Sequence, residues 1–217
     1  SDHWRARVIL AALKSREKAQ RGCVYGFWND REGMLGLTPE CLFSYRAGGT
    51  LNTMALAGTL PLPASQAERD FFIMDPKEQE EHQLVVDDII AVLNRWGHVE
   101  KKAVEILELP HLLHLKTDLR LQLTREFSFS DLVADLHPTP ALGVSPRGGG
   151  LQWMSTWDSV SSRFRFGAPF GVLWTEDSKV NAECWVAIRN VQWQDKQILL
   201  NSGCGVVGKS VLEKEWV

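Results

Sequence analysis

The stretch DPKEQEEHQLVVDDI, residues 75–89, leaves this chain few ways to fold. At helical spacing Val85, Ile89, Val92 and Trp96 form an apolar stripe, and continuing that stripe toward the helix start reaches Glu81 and Glu78. A helix that buries this stripe must carry two carboxylates toward the core or into a cleft. Burying a charge is costly unless it is paired or holds a metal. Glu78 has an ordinary alternative, because Asp75 as N-cap, Pro76 at the first helical position and Glu78 two residues on make a helix start resembling a capping box. Glu81 has no such alternative. One turn into the helix on its inner face, it is a candidate ligand for Mg²⁺, a hard cation that keeps waters and also takes a substrate carboxylate.

Around that helix the pattern is strands, then helices, then strands. Residues 4–20 read as a helix stopped by Gly22. CVYGFW (23–28), MLGL (34–37), CLFSY (41–45) and LNTMAL (51–56), separated by turn signals, predict an antiparallel meander. Helices are expected over 75–96, over 111–135 entered through ELPHLLHL, and over 151–162, with HPTPALGVSPRGGG (137–150) as a loop. Strands are expected at 169–174, 183–193 and 197–202. In the second of these WVAIRNVQW alternates, setting Trp185, Ala187, Arg189, Val191 and Trp193 on one face. This order predicts the α+β class, with antiparallel β-sheets packed with helices. At 217 residues and 44% hydrophobic content, the chain can bury a substantial core and reads as a single domain over 1–217.

The net charge of -3 gives no basic footprint, which argues against nucleic acid and anionic membranes as partners. No run approaches the ~20 apolar residues of a membrane span, and the N-terminus has no signal-peptide layout, so the expected location is cytoplasmic. The four cysteines are far apart, without a CxxC pair, and read as reduced, mostly buried thiols. An anionic small molecule would need local positive groups. Arg189, mid-strand among apolar residues, must be paired or must bind an anion. SGCGVVGKS (202–210) leaves a strand with Gly203 and Gly205, which either let backbone N–H groups approach a ligand or simply make a tight turn; the spacing is not that of a P-loop. Taken alone, Glu40 after Pro39 reads as a solvated turn residue, and His114 in LPHLLHLK as a satisfied core imidazole.

Taken in order, LTPECLF (37–43), ALAGTLP (55–61), DPKEQEEHQLVVDDI (75–89), LHPTPALGVSPR (136–147) and CWVAIRNV followed by NSGCGVVGKSVLEKEW resemble the chorismate-utilising enzymes. The likeness spans about residues 20 to 216. It implies part of the anthranilate and aminodeoxychorismate synthase-like fold, with chorismate or isochorismate as ligand and Mg²⁺ as cofactor. It implies Glu81 and Glu215 as residues holding Mg²⁺, with Glu78 as an outer or water-mediated partner. Glu40 resembles the general acid that protonates a departing C4 hydroxyl, and would then titrate well above an ordinary glutamate. Arg189, with the backbone at Gly203 and Gly205, resembles the clamp on the substrate carboxylates, while Thr59, after Gly58, and His114 match positions lining the same pocket. Ala57 stands where aminodeoxychorismate synthases carry a lysine nucleophile, and Ala141 where amine-adding and lyase-type members tend to carry threonine. The HPTPA wording is most similar to isochorismate synthases. The resemblance therefore implies isomerisation of chorismate to isochorismate, with an aminating or lyase member, or a non-catalytic chorismate-binding module, as alternatives. The family's water-activating lysine would precede residue 1 and its last helix continues past Glu215, so the chain resembles the family without its N-terminal portion and last helix. A monomer or weak homodimer is expected.

Overall fold

The computed structural model describes residues 3–19, 22–158, 163–195 and 197–215. In chain order its elements are α1 (His3–Ala19), β1 (Cys23–Trp28), β2 (Glu32–Thr38), β3 (Cys41–Arg46), β4 (Thr50–Pro61), α2 (Gln66–Met74), α3 (Pro76–Leu93), β5 (Gly97–Lys101), β6 (Glu105–Glu108), β7 (Leu112–Leu123), α4 (Phe129–Leu136), α5 (Arg147–Asp158), β8 (Pro169–Glu176), β9 (Lys179–Val186), β10 (Asn190–Gln194), β11 (Gln197–Leu200) and α6 (Leu212–Glu215). The strands form two antiparallel sheets. The larger has seven strands, in the order β5-β7-β4-β3-β9-β8 with β6 also on β7, and the smaller is β1-β2-β10-β11. The expected α+β class with antiparallel sheets is what the chain adopts. No described helix is long and apolar enough to cross a membrane.

The helix α3 lies over the large sheet as its stripe requires. Val85, Ile89, Val92 and Trp96 are at most 5% exposed and pack with Phe43, Leu51, Leu119 and Leu121 from three strands. Each such side chain contributes about 1.5–3 kcal/mol by leaving water. Asp75 caps α3 by accepting from the N–H groups of Lys77 and Glu78. His82, 3% exposed, ties α3 to two strands. A carbonyl can only accept, so Nδ1–H donates to Ala57 O at 3.2 Å and Nε2 accepts from the Thr117 hydroxyl at 2.7 Å. Burial lowers the pKa of His82, which keeps it in this neutral form.

Three expectations are corrected. Residues 112–123 are not helical but form β7, paired with β4 along its whole length. The physical reason is a period of two that a leucine-rich segment obscures: Leu113, Leu115, Thr117, Leu119 and Leu121 are all buried on alternating positions. The four N-terminal strands are not one meander, because β1 and β2 belong to the small sheet and β3 and β4 to the large one. WVAIRNVQW is not one strand either; β9 ends at Val186 in the large sheet and β10 begins at Asn190 in the small one. The unexpected helix α2 starts at a complete capping box, with Ser65 accepting from Glu68 N–H and Glu68 accepting from Ser65 N–H. The helix expected over 151–162 is α5, starting earlier at Arg147; residues 159–162, like residue 20 of the first helix, lie outside the described residues.

Replacing His82 with leucine keeps the volume but leaves the buried Thr117 hydroxyl without its partner. The expected cost is about 2 kcal/mol, read as a lower urea midpoint at unchanged slope; an unchanged midpoint contradicts the pinning role.

Candidate active site

The chain crosses between the two sheets twice, and both crossings carry candidate residues. Pro39 and Glu40 link β2 to β3, and residues 187–189 link β9 to β10. Because β2 pairs with β10 and β3 with β9, the two links run side by side. Val186 N–H donates to Glu40 O at 3.1 Å and Leu37 N–H to Arg189 O at 3.2 Å, which stitches them together. Arg189 is therefore not the mid-strand residue its alternation suggested. It sits at φ +52°, a left-handed conformation that costs a non-glycine residue about 1–2 kcal/mol. Tyr25 holds the link in place, its hydroxyl donating to Ile188 O at 2.7 Å and accepting from Asn190 Nδ2 at 3.0 Å, while Asn190 Nδ2 also reaches Ala187 O at 2.7 Å. Sequence reasoning missed Tyr25 and Asn190, and a lone tyrosine and asparagine in strands carry no signal of this role.

Glu40 is only 8% exposed and is not the solvated turn residue its local context suggested. Burial raises its pKa to about 7, against the pull of Arg189, so near neutral pH much of it is a carboxylic acid. The Arg189 guanidinium donates through Nη2 to His114 Nε2 at 2.6 Å. Arginine has no acceptor, which fixes the histidine tautomer: Nε2 is bare and Nδ1 carries the proton, 3.0 Å from Gly58 O and 3.1 Å from Thr59 Oγ1. Burial, then the neighbouring Arg189 charge, lowers His114 to about 4 and keeps it neutral. Loss of hydration likewise lowers the pKa of Arg189, opposed by Glu40. His114 is thus held in a polar network on the face of β7 opposite its leucines, not in the apolar core. The guanidinium is partly buried where it meets His114, the rest of Arg189 keeps contact with solvent, and its other N–H groups meet no hydrogen-bond acceptor among the described residues.

From His114 the network runs into the acidic head of α3. The register of β4 against β7 shifts between Ala57 and Thr59, with Gly58 at φ +81°, and this bulge turns two N–H groups toward the helix. Thr59 N–H donates to Glu78 Oε2 at 2.9 Å and Gly58 N–H to Glu81 Oε1 at 3.3 Å. Glu78 therefore does not close a capping box on Asp75; its side chain reaches across to β4. The other oxygen of each acid faces Lys77 Nζ, at 3.1 Å from Glu78 and 3.0 Å from Glu81, and Glu215 completes the shell at 2.8 Å. Three carboxylates from two distant parts of the chain meet at one cation. The segment leading to Glu215 runs along the head of α3: Gly205 lies so close to Glu81 that a Cβ there would overlap its carboxylate, and Lys209 pairs with Glu80 at 2.7 Å. Burial opposes the charge on Lys77, but the hydrogen bonds to Glu215, Glu81 and Glu78 outweigh it and raise its pKa. For Glu78 burial outweighs the Thr59 and Lys77 contacts and its pKa is raised. Among the described residues no three His, Cys, Asp or Glu side chains are already set to coordinate a metal. Sequence reasoning missed Lys77, since only the tertiary approach of Glu215 shows what surrounds it.

The remaining candidates lie around this line. Ala57 is buried in the main core, with its carbonyl on His82. Ala141 packs against the same core from the loop after α4. Gly203 is exposed, and a Cβ there would meet nothing, so of the glycine pair only Gly205 is required to be small by its surroundings.

Comparison with known proteins gives the same family as the motifs. A family model for chorismate binding enzymes matches residues 2–217. The chain is 34% identical over 183 residues to the salicylate biosynthesis isochorismate synthase of Pseudomonas aeruginosa, covering 81% of this chain and 37% of that protein. It is 34% identical over 194 residues to an isochorismate synthase of Bacillus subtilis, covering 86% of this chain and 40% of that one. The solved structure of the menaquinone-specific isochorismate synthase from Escherichia coli superposes with a TM-score of 0.77 at 25% identity, over 96% of this chain and 48% of that one. The chain thus spans about half the length, or less, of these relatives. By sequence match over nearly its whole length, with the fold in agreement, the chain belongs to the chorismate-binding enzymes.

Proposed function

We propose that this chain forms the substrate-binding and hydroxyl-expelling part of a Mg²⁺-dependent isochorismate synthase. The observation that carries this reading is a network of groups running from Arg189 through His114 and Thr59 to Glu78, and through Lys77 to Glu81 and Glu215, with Glu40 buried on the adjacent link. Chorismate is a dicarboxylate. The unused N–H groups of the Arg189 fork suit one carboxylate in bidentate fashion, and the tie to His114 fixes the plane of that fork. Hard carboxylate oxygens converging on a cation are the donor type that suits Mg²⁺, with Glu81 and Glu215 as the holding residues and Glu78 in support. Bound there, Mg²⁺ would neutralise and orient the second carboxylate. Glu40, protonated up to about pH 7, supplies the proton that leaves with the C4 hydroxyl as water. The water that adds at C2 needs a base other than Glu40. The names of the relatives support isomerisation over amination, as does Ala57 at the lysine position.

Incubating the chain with chorismate and Mg²⁺ and following isochorismate by chromatography tests the reading. Glu40→Gln is expected to lower turnover by about 100-fold or more while chorismate binding measured by calorimetry persists. Saturable Mg²⁺-dependent binding without any turnover would assign the chain to the binding-module alternative, and product formed only with ammonia would assign it to the aminating one. Since a raised pKa means that Glu40 keeps its proton until about pH 7 and loses it above, kcat/KM is expected to fall as pH rises through that value; a flat profile there contradicts the acid role. Gly205→Ala is expected to displace the Glu81 carboxylate and to weaken Mg²⁺ dependence more than chorismate-independent stability, read by comparing Mg²⁺ titrations with thermal melts.

A further inference from the structure

Lys77 stands in the second position of α3, where the positive end of the helix dipole disfavours a cation. An ordinary i to i+4 pair with Glu81 would explain an exposed lysine, yet this side chain is only 18% exposed and touches three acids at once. Each of Glu78 and Glu81 turns one oxygen to a β4 N–H and the other to Nζ, so the ammonium fills the position on which all three side chains converge. Without it, three carboxylates would face one another with only two backbone donors between them. An ammonium keeps its acceptors near 3 Å, whereas Mg²⁺ draws oxygens in to roughly 2 Å. Both cannot occupy the centre.

We propose that Lys77 is the resident counter-ion of this cluster, holding the three carboxylates together until a divalent cation displaces its ammonium, and so setting the cation concentration at which the site loads. The inference rests on Glu78, Glu81 and Glu215 being the cation site. It assigns Lys77 two effects of opposite direction: it stabilises the metal-free fold and weakens metal binding. Binding of Mn²⁺ to the chain, followed by the loss of the free-ion signal in electron paramagnetic resonance, separates these. Lys77→Gln removes the competing charge and is expected to bind Mn²⁺ about tenfold or more tightly than the natural chain, because a unit charge at contact distance is worth at least that in a protein's effective dielectric. The same variant is expected to melt lower in EDTA and to recover with Mn²⁺. Lys77→Arg keeps a competing cation and is expected to bind Mn²⁺ no more tightly than the natural chain. Equal or weaker binding by Lys77→Gln, with the natural chain binding normally, overturns the counter-ion role and leaves the metal site standing. Equally tight binding by both variants also overturns it. Absence of Mn²⁺ binding by the natural chain and both variants overturns the metal site itself.

Discussion

Like charges cannot be brought together inside a protein without a cation to hold them, and the acidic head of α3 obeys that constraint. Glu78, Glu81 and Glu215 come close only because Lys77 stands between them and the β4 bulge offers N–H groups from Gly58 and Thr59. The same bulge aims Gly58 O and the Thr59 hydroxyl at His114, which in turn fixes the Arg189 fork. Neutralising the acids and positioning the arginine are thus two results of one irregularity in one strand. A regular β4 would present neither.

The second organising feature is the paired crossing between sheets. It places a carboxylic acid and a guanidinium on adjacent links, where neither is tied to the regular hydrogen bonding of a strand. Proximity to Arg189 alone would lower the pKa of Glu40, but burial is the larger effect and prevails. A buried acid at about pKa 7 beside a partly free arginine is the combination that the proposed expulsion of a hydroxyl from an anionic substrate would use. The positive φ at Arg189, held by Tyr25 and Asn190, is local strain supported by the surrounding structure.

Much of this was legible in the sequence, and the failures have physical reasons. The stripe of α3 and the inward direction of Glu78 and Glu81 follow from helical spacing alone. The strands between residues 23 and 56 follow from turn residues and aromatic or apolar runs, although their division between the two sheets does not. β7 was read as helix because leucine favours helices and the alternation at 113, 115, 117, 119 and 121 includes a threonine, which hides the period of two. The break at residues 187–189 was invisible, since alternation continues across it and arginine carries no signal for a left-handed backbone. For α2 the signal is present in the capping box of Ser65 and Glu68. Lys77 could be understood only after the fold brought Glu215 beside it. The motifs matched in order pointed to the chorismate-binding enzymes where composition could only exclude other classes.

Everything proposed for the acidic cluster turns on Glu81 and Glu215 sharing one divalent cation at the position Lys77 occupies. Anomalous diffraction from crystals grown with Mn²⁺ tests it most directly. A single strong peak is expected roughly 2 Å from an oxygen of each acid, with the Lys77 side chain moved out of the cluster. A peak at another place, or Lys77 unmoved among the three carboxylates at saturating Mn²⁺, would contradict it.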